Sequence, residues 1–317
     1  MPYIPNEIVE KAKQVDLLSY LFSCEPGNLI DLGNGRYCTR DHDSLKISNG
    51  KWYWFSKGIG GHSALDYLMK VRNLSFYEAV QQISNESVID IPRIEPQHRE
   101  KRDFQLPEKC DANRRVYGYL RSRGIDREII DFCIKTGRLY ESIPFHNAVF
   151  VGVDKVGKPR YAAMRGTGSK FKGEASGSDK RYSFAIPSED SSSLHLFESA
   201  IDLLSYATLC KREGNDWQKD HLLSLAGIYS PNGKENGISI PKTIKQYITD
   251  HPEIKKISLH LDNDMAGREA SKALLEVLSR SYEVTDEPPP QGKDFNETLC
   301  IELCLPLPEQ RAVEVER

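Results

Sequence analysis

Apolar residues recur at helical spacing over residues 5–22, at Ile8, Val9, Ala12, Val15, Leu17, Leu18 and Leu21, and predict one amphipathic helix there. Beyond it the pattern shortens to strand-like runs punctuated by Asn34-Gly35, Ser48-Asn49-Gly50 and Gly58-Ile59-Gly60-Gly61. Within them Lys51-Trp52-Tyr53-Trp54-Phe55 is aromatic and strand-prone. Helices are expected at about 62–71 and 76–85, the second capped by Ser75 with Glu78 three residues later. Residues 1–87 thus read as a small α+β module.

The period then lapses. Residues 88–106 carry two prolines and mixed charge, and read as a linker. Two short helices are expected within 111–139, around Ser122-Arg123-Gly124-Ile125. Strands follow over 147–164, with Asp154-Lys155-Val156-Gly157 as their hairpin turn. From 191 the chain alternates strand and helix. The strands are at 194–198, 222–227, 254–262 and 282–284, and the helices at 200–212, about 240–250 and 265–280. Such alternation implies parallel pairing with right-handed crossovers. The expected organisation is a module over 1–87, a linker over 88–106, an α+β subdomain over 107–190, an α/β domain over 191–300 and a tail over 301–317.

Charge changes this picture locally. The whole chain has 43 Lys+Arg against 46 Asp+Glu, so it is not a basic coat for nucleic acid. Residues 151–185, in contrast, hold eight Lys/Arg against three acids, interleaved with aromatic, Gly and Ser residues. Such a strip can neutralise phosphates, although a solvated hairpin would look the same by charge alone. No apolar run reaches the roughly 18 residues of a membrane span, and no membrane contact is expected. Seven cysteines without tight pairing argue against a disulfide scaffold and point to a reducing, cytoplasmic compartment.

The candidate chemistry lies at strand ends. Glu198 ends one strand of the α/β part, and Asp262-Asn263-Asp264 ends another and leads into Met265-Ala266-Gly267-Arg268. Sites in open parallel sheets form at the carboxyl ends of strands. Three carboxylates gathered there repel one another unless a cation joins them, and hard oxygen ligands suit Mg²⁺ or Mn²⁺. Taken singly, Asp262 or Asp264 could equally cap the following helix. Asp202 and Ser205 follow Glu198, and Gly292-Lys293-Asp294 comes later as a further acid-bearing turn. There is no phosphate-binding GxxxxGKT loop to support an ATP-driven helicase, and no Ser-His-Asp arrangement. His195 and His260 read as structural.

The stretches FESAIDLLS (197–205), HLDNDMAGREAS (260–271) and GKDFNE (292–297) resemble the Toprim domain of bacterial primases, topoisomerases and related nucleases. The resemblance implies a Rossmann-like, mostly parallel sheet. It implies Glu198 as general acid/base or metal ligand, and Asp262 and Asp264 as ligands of the divalent metal. Asp294 and Lys293 become supporting groups, with Lys293 near the nucleotide. Arg165-Gly166 and Gly177-Ser178-Asp179-Lys180 resemble motifs of the DUF3991 segment that precedes Toprim in proteins of bacterial mobile elements. By that resemblance Arg165, Lys170, Lys172, Lys180 and Arg181 are candidates for template or nucleotide phosphates.

AKQVDLLSYL (12–21) and GIGGHSALDYLMKVRNLSFYEAVQQI (58–83) resemble the zinc-ribbon module of DnaG-type primases. The metal ligands do not follow. Cys38 and His42 are offset from a Cys-x-x-His pair, and the second pair falls on Trp54 and Lys57. A closed zinc site needs four N/S ligands, and Cys24 and His62 are wrongly spaced to complete it, so zinc is not expected. Aromatic area would replace it, with one or two rings free to stack on single-stranded bases. The remaining cysteines, Cys110 among them, read as small apolar or surface residues. Together the resemblances imply a primase-like nucleotidyltransferase acting on single-stranded DNA with nucleoside triphosphates. A replicative helicase or a relaxase would be its protein partner. The alternatives are a Toprim nickase or nuclease, and a non-catalytic single-stranded-DNA-binding accessory protein.

Overall fold

Asp16 decides how the chain begins. Its carboxylate accepts the Ser19 N–H (3.0 Å) and the Ser19 hydroxyl (2.8 Å), which starts a new helix at Leu17. The single helix expected over 5–22 is therefore two, α1 (Asn6–Gln14) and α2 (Leu17–Cys24). The computed structural model describes residues 4–33, 35–85, 103–227 and 240–307. The chain divides into two compact units, Met1–Glu100 and Lys101–Arg317.

In the first unit an antiparallel sheet runs in chain order through β1 (Leu29–Asp31), β2 (Arg36–Thr39), β3 (Leu45–Ser48), β4 (Lys51–Trp54) and β5 (Ile59–Gly61). Helices α3 (Ala64–Lys70) and α4 (Phe76–Asn85) follow. The box at the start of α4 is closed in both directions: Glu78 accepts from the Ser75 N–H (2.9 Å) and hydroxyl (2.7 Å), and the Glu78 N–H donates back to Ser75 Oγ (3.3 Å). Leu17, Tyr20, Leu45, Ile47, Trp52, Tyr67, Leu68 and Val80 make the core.

The aromatic run alternates across the sheet as a strand must. Trp52 is buried and donates its indole N–H to Ser63 O (3.1 Å), and Trp54 stacks on His42 with ring centroids 4.1 Å apart. Tyr53 and Phe55 are exposed and meet edge to face. Cys38 is buried in β2.

The second unit opens with α5 (Arg114–Ser122) and α6 (Arg127–Lys135). A four-stranded antiparallel sheet follows: β6 (Leu139–Glu141), β7 (Ala148–Val153), β8 (Pro159–Arg165) and β9 (Lys172–Glu174). The Asp154 carboxylate ties the β7–β8 turn by accepting from Val156 N–H (3.1 Å) and Lys158 N–H (2.9 Å). The chain then runs β10 (Ala185–Ile186), β11 (Ser193–Phe197), α7 (Ala200–Arg212), β12 (His221–Ser224), α8 (Lys242–Asp250), β13 (Lys256–His260), α9 (Met265–Leu278), β14 (Glu283–Asp286) and α10 (Phe295–Glu302).

The second sheet has the order β10-β12-β11-β13-β14. Its last four strands are parallel, and β10 joins the edge antiparallel. Leu194 and Leu196 of β11 face a core with Ile244 of α8 and Leu274 of α9. Phe197, on the opposite side, faces a core with Leu203 of α7 and Leu299 of α10. Both faces are covered, as parallel sheets require. The second of these cores also holds Val116, Ile129, Leu139 and Phe150, so the antiparallel sheet and the mostly parallel sheet share it.

α10 was not expected. Its first residues read as a turn, and the helix runs two residues into the stretch taken as a tail. Residues 88–102 of the expected linker, 308–317 of the expected tail and Asn34 of the expected turn lie outside the described residues.

Candidate active site

From β11 the chain forms β12 as its immediate neighbour on one side, and then crosses over to form β13 as its immediate neighbour on the other. This leaves the carboxyl ends of β11 and β13 adjacent, at the reversal of strand order where crevices open in such sheets. Glu198 follows the first end and Asp262 the second, and Asp262 N–H donates to Glu198 Oε1 (3.3 Å). Asp264 caps α9 by accepting from Gly267 N–H (2.9 Å). It is therefore both the cap and a member of the cluster. A side chain at Gly267 would run into the Asp262 carbonyl, so glycine is needed where α9 starts this close to the strand end.

Two residues outside the expected set fix this turn. Arg268 donates to the Asp262 carbonyl (3.0 Å) and the Leu261 carbonyl, and pairs with Asp286 (3.0 Å). Asn263 N–H donates to Lys293 O (2.7 Å), and its side-chain amide to Pro289 O (2.8 Å). The turn at 292–294 is thereby laid against the strand end. Asp294 caps α10 through Glu297 N–H (2.8 Å). Asp202, in the first turn of α7, is also buried at the cluster, where Ser199 holds it by donating its hydroxyl (2.6 Å). The signal for Asp202 was present in the sequence as a Ser-x-x-Asp cap at 199–202.

Five acids thus gather around one ammonium. Lys293 Nζ lies 3.2 Å from Asp264 and 3.8 Å from Asp262. Burial first, then the charges of Asp264 and Asp202, pushes Glu198 up to about 7. Burial, then Glu198 and Asp294, pushes Asp262 up to about 7 as well. Burial drives Asp202 and Asp294 upward too, with the charge of Asp294 adding to the effect on Asp202. Asp264 goes the other way: burial opposes it, but the Gly267 N–H and the Lys293 ammonium hold it below the usual carboxylate range. A hard, oxygen-only donor set whose charge is this poorly compensated fits a divalent cation of the Mg²⁺ or Mn²⁺ type. Asp262 and Asp264 would hold it, with Glu198 as a third ligand or as an acid/base. The acid oxygens are spread around Lys293; among the described residues, the groups of three potential ligands lying within 4.8 Å of one another are elsewhere.

The structure separates the basic candidates. Arg165 and Lys172, opposite each other on β8 and β9, line a cleft of about 340 Å³ whose far wall is Ser199, Ala200 and Ile201 at the start of α7. Lys170 lies in the loop before β9. Lys180 pairs with Glu174 (2.8 Å) and Arg181 with Asp179 (2.6 Å), so each carries its own counter-ion. Arg181 lines a different cleft, with Tyr247 and Asp250. Lys293 sits on the acids and not among these cations.

Residues 118–190 match the model of a protein family of unknown function, DUF3991, and residues 195–299 match the Toprim-like family model. An uncharacterised protein of Bacillus anthracis is 28% identical over 307 residues, which cover 89% of this chain and 81% of that one. A 65 kDa protein of Zymomonas mobilis is 25% identical over 284 residues, 81% of this chain, and the match spans 45% of that protein. Among solved structures, the primase fragment of the bacteriophage T7 primase-helicase protein is similar at 16% identity and a TM-score of 0.44, over 84% of this chain and 93% of that one. The DnaG catalytic core is similar at 16% identity and a TM-score of 0.39, over 59% and 68% respectively. The acids described above all fall within the Toprim-like match, and Arg165 and Lys172 within the segment before it. A segment similar to DUF3991 thus precedes one similar to the Toprim-like family.

Proposed function

We propose that this protein is a primase-type nucleotidyltransferase that makes short primers on single-stranded DNA, in the replication or transfer of a mobile element. One observation carries the reading. The carboxylate cluster adjoins a cleft of about 340 Å³ lined by Arg165, Lys172 and the first turn of α7. The cleft has room for a nucleotide, and its cations and helix N-terminus suit a triphosphate. A nuclease acting on a chain has less need of a basic pocket beside its acids.

Mg²⁺ or Mn²⁺, when bound, supplies charge neutralisation at the triphosphate and at the attacking 3′-hydroxyl. Asp262 and Asp264 would hold it, with Glu198 beside them as the base. Arg165 and Lys172 orient the phosphates, and the α7 N-terminus adds backbone N–H donors. The 3′-oxygen attacks the α-phosphorus, pyrophosphate leaves, and the hydroxyl proton must go to a base. Glu198, pushed up to about 7, is matched to take it near neutral pH.

The test is primer synthesis on single-stranded DNA with Mg²⁺ or Mn²⁺ and labelled nucleotides. The wild type should make short products. Asp262→Ala should make none, while its circular dichroism and single-stranded-DNA affinity stay close to wild type. Metal-dependent cutting of the template without synthesis would assign the same acids to strand cleavage. Undiminished synthesis by Asp262→Ala would remove the site assignment.

A further inference from the structure

Cys110, Glu141 and His146 offer a thiol, a carboxylate and an imidazole whose ligand atoms lie within 4.8 Å of one another. Three separate pieces of backbone bring them together. Lys109 and Ser142 form an isolated antiparallel bridge, and Cys110 N–H donates to Glu141 O (2.8 Å). Glu141, at the end of β6, is 3% exposed. Its Oε2 accepts from the Arg115 and Val116 N–H groups at the start of α5 (2.9 and 3.3 Å). Its Oε1 faces His146 Nδ1 at 2.6 Å. His146 adopts a left-handed backbone, φ +53, uncommon for a residue other than glycine, and the Thr167 hydroxyl donates to its carbonyl (2.8 Å).

Two other histidine groups in the molecule are equally close, but their rings are already committed. His260 uses Nδ1 on the Glu287 carbonyl (2.9 Å) and Nε2 on His195 (2.7 Å). His221 uses Nδ1 on Tyr247 Oη (3.1 Å) and Nε2 on the Ser191 carbonyl (3.2 Å). The group at His146 differs in its thiol, and its ring nitrogen is engaged by Glu141, itself one of the three candidate ligands.

We propose that Cys110, Glu141 and His146 bind one zinc ion, with water as fourth ligand, and that the ion fastens the segment before α5 to the edge of the four-stranded sheet. Zinc takes thiolate, imidazole and carboxylate together, and its tetrahedral ligands sit about 3.3–3.6 Å apart. The three atoms already lie within 4.8 Å of one another, and Glu141 Oε1 and His146 Nδ1, 2.6 Å apart, would part to admit the ion. Binding converts the thiol to thiolate and releases its proton. None of the three residues belongs to the carboxylate cluster or the cleft. The proposal departs from the sequence reading, which expects no zinc and takes Cys110 for a small apolar or surface residue, because only the fold brings Cys110 beside Glu141 and His146.

Cobalt(II) is the probe, added to full-length, reduced, chelator-treated protein. One Co²⁺ per chain should bind, with thiolate-to-cobalt charge-transfer absorption and tetrahedral visible bands. Cys110→Ser should abolish the charge-transfer band, and His146→Ala should weaken binding at least tenfold, with far-ultraviolet circular dichroism unchanged in both. Cys38→Ser should leave the spectrum intact. Zinc should raise the melting temperature of the wild type and not of Cys110→Ser. Absence of the band in the wild type, its survival in Cys110→Ser, or its loss in Cys38→Ser would each overturn the site.

Discussion

Asp262 is held where burial, neighbouring acids and a lysine compete, and the balance sets a sign that can be measured. Its folded-state carboxyl is pushed up to about 7. Between its ordinary value of 3.8 and about 7 the folded protein therefore keeps a proton that the unfolded chain has released, and stability falls as pH rises through that window. Glu198 contributes in the same direction. His195, His221 and His260 are lowered by burial and contribute oppositely, losing stability as pH drops below 6.5. A difference between variants isolates the acid. Asp262→Asn should melt close to wild type at pH 5.5 and well above it at pH 8, in chelator. An equal offset at both pH values would show that Asp262 is not the group that titrates. Lys293 makes a second prediction. Its ammonium stands where a divalent cation would be drawn, so Lys293→Met should tighten Mn²⁺ binding several-fold by calorimetry. Weaker binding in that variant would mean that the lysine arranges the acids for the ion instead of competing with it.

Among the elements, the caps do most of the positioning. Asp264 and Asp294 each begin a helix and face the cluster with the same carboxylate. This is why a reading of Asp264 as either cap or ligand could not be resolved from spacing: the geometry allows both. The same double use explains the missed α10. Asp294-Phe295-Asn296-Glu297 carries the cap signal, with the Glu297 carboxylate accepting from Lys293 N–H (2.7 Å), and the same Asp294 closes the turn at 292–294. Helix α7 was legible to the residue, since its apolar run is flanked by Ser199 and Gly214. The break between α1 and α2 was not, because the apolar period continues across Asp16. Charge pairing was also illegible. Glu174 reaches Lys180 only once the chain has folded back, and this divides a strip that looked uniform. Lys172→Glu should accordingly weaken nucleotide and single-stranded-DNA binding and flatten its salt dependence, and Lys180→Glu should do so much less. Equal losses in the two variants would restore the strip as a single surface.

At the scale of the whole molecule, the cores decide which pieces can stand alone. The first unit closes on its own apolar cluster around Leu17, Ile47, Trp52 and Tyr67. In the second, the boundary expected near 190 is crossed by a shared core and by specific bonds. Phe150 meets Phe184 edge to face at 5.6 Å, and Phe197 packs in the same cluster. Arg123 donates to Asn296 Oδ1 (2.8 Å), Asn296 donates back to Arg123 O (2.9 Å), and Asp126 N–H donates to Thr208 Oγ1 (3.1 Å). A chain cut at 190 would remove the part of the core around Phe197, Leu203 and Leu299 that residues before 190 supply and leave Asn296 without the Arg123 carbonyl, and each side chain fully exposed in this way costs about 1.5–3 kcal/mol. Few domains can absorb several such losses. Residues 101–317 should therefore melt in one cooperative transition and bind Mn²⁺ as tightly as the full chain, and residues 191–317 should aggregate or lack a transition. Cooperative melting of 191–317 would mean that the Toprim-like sheet is self-sufficient. The basic segment would then be a separate module, and the cleft at Arg165 and Lys172 a junction between two domains instead of a feature of one.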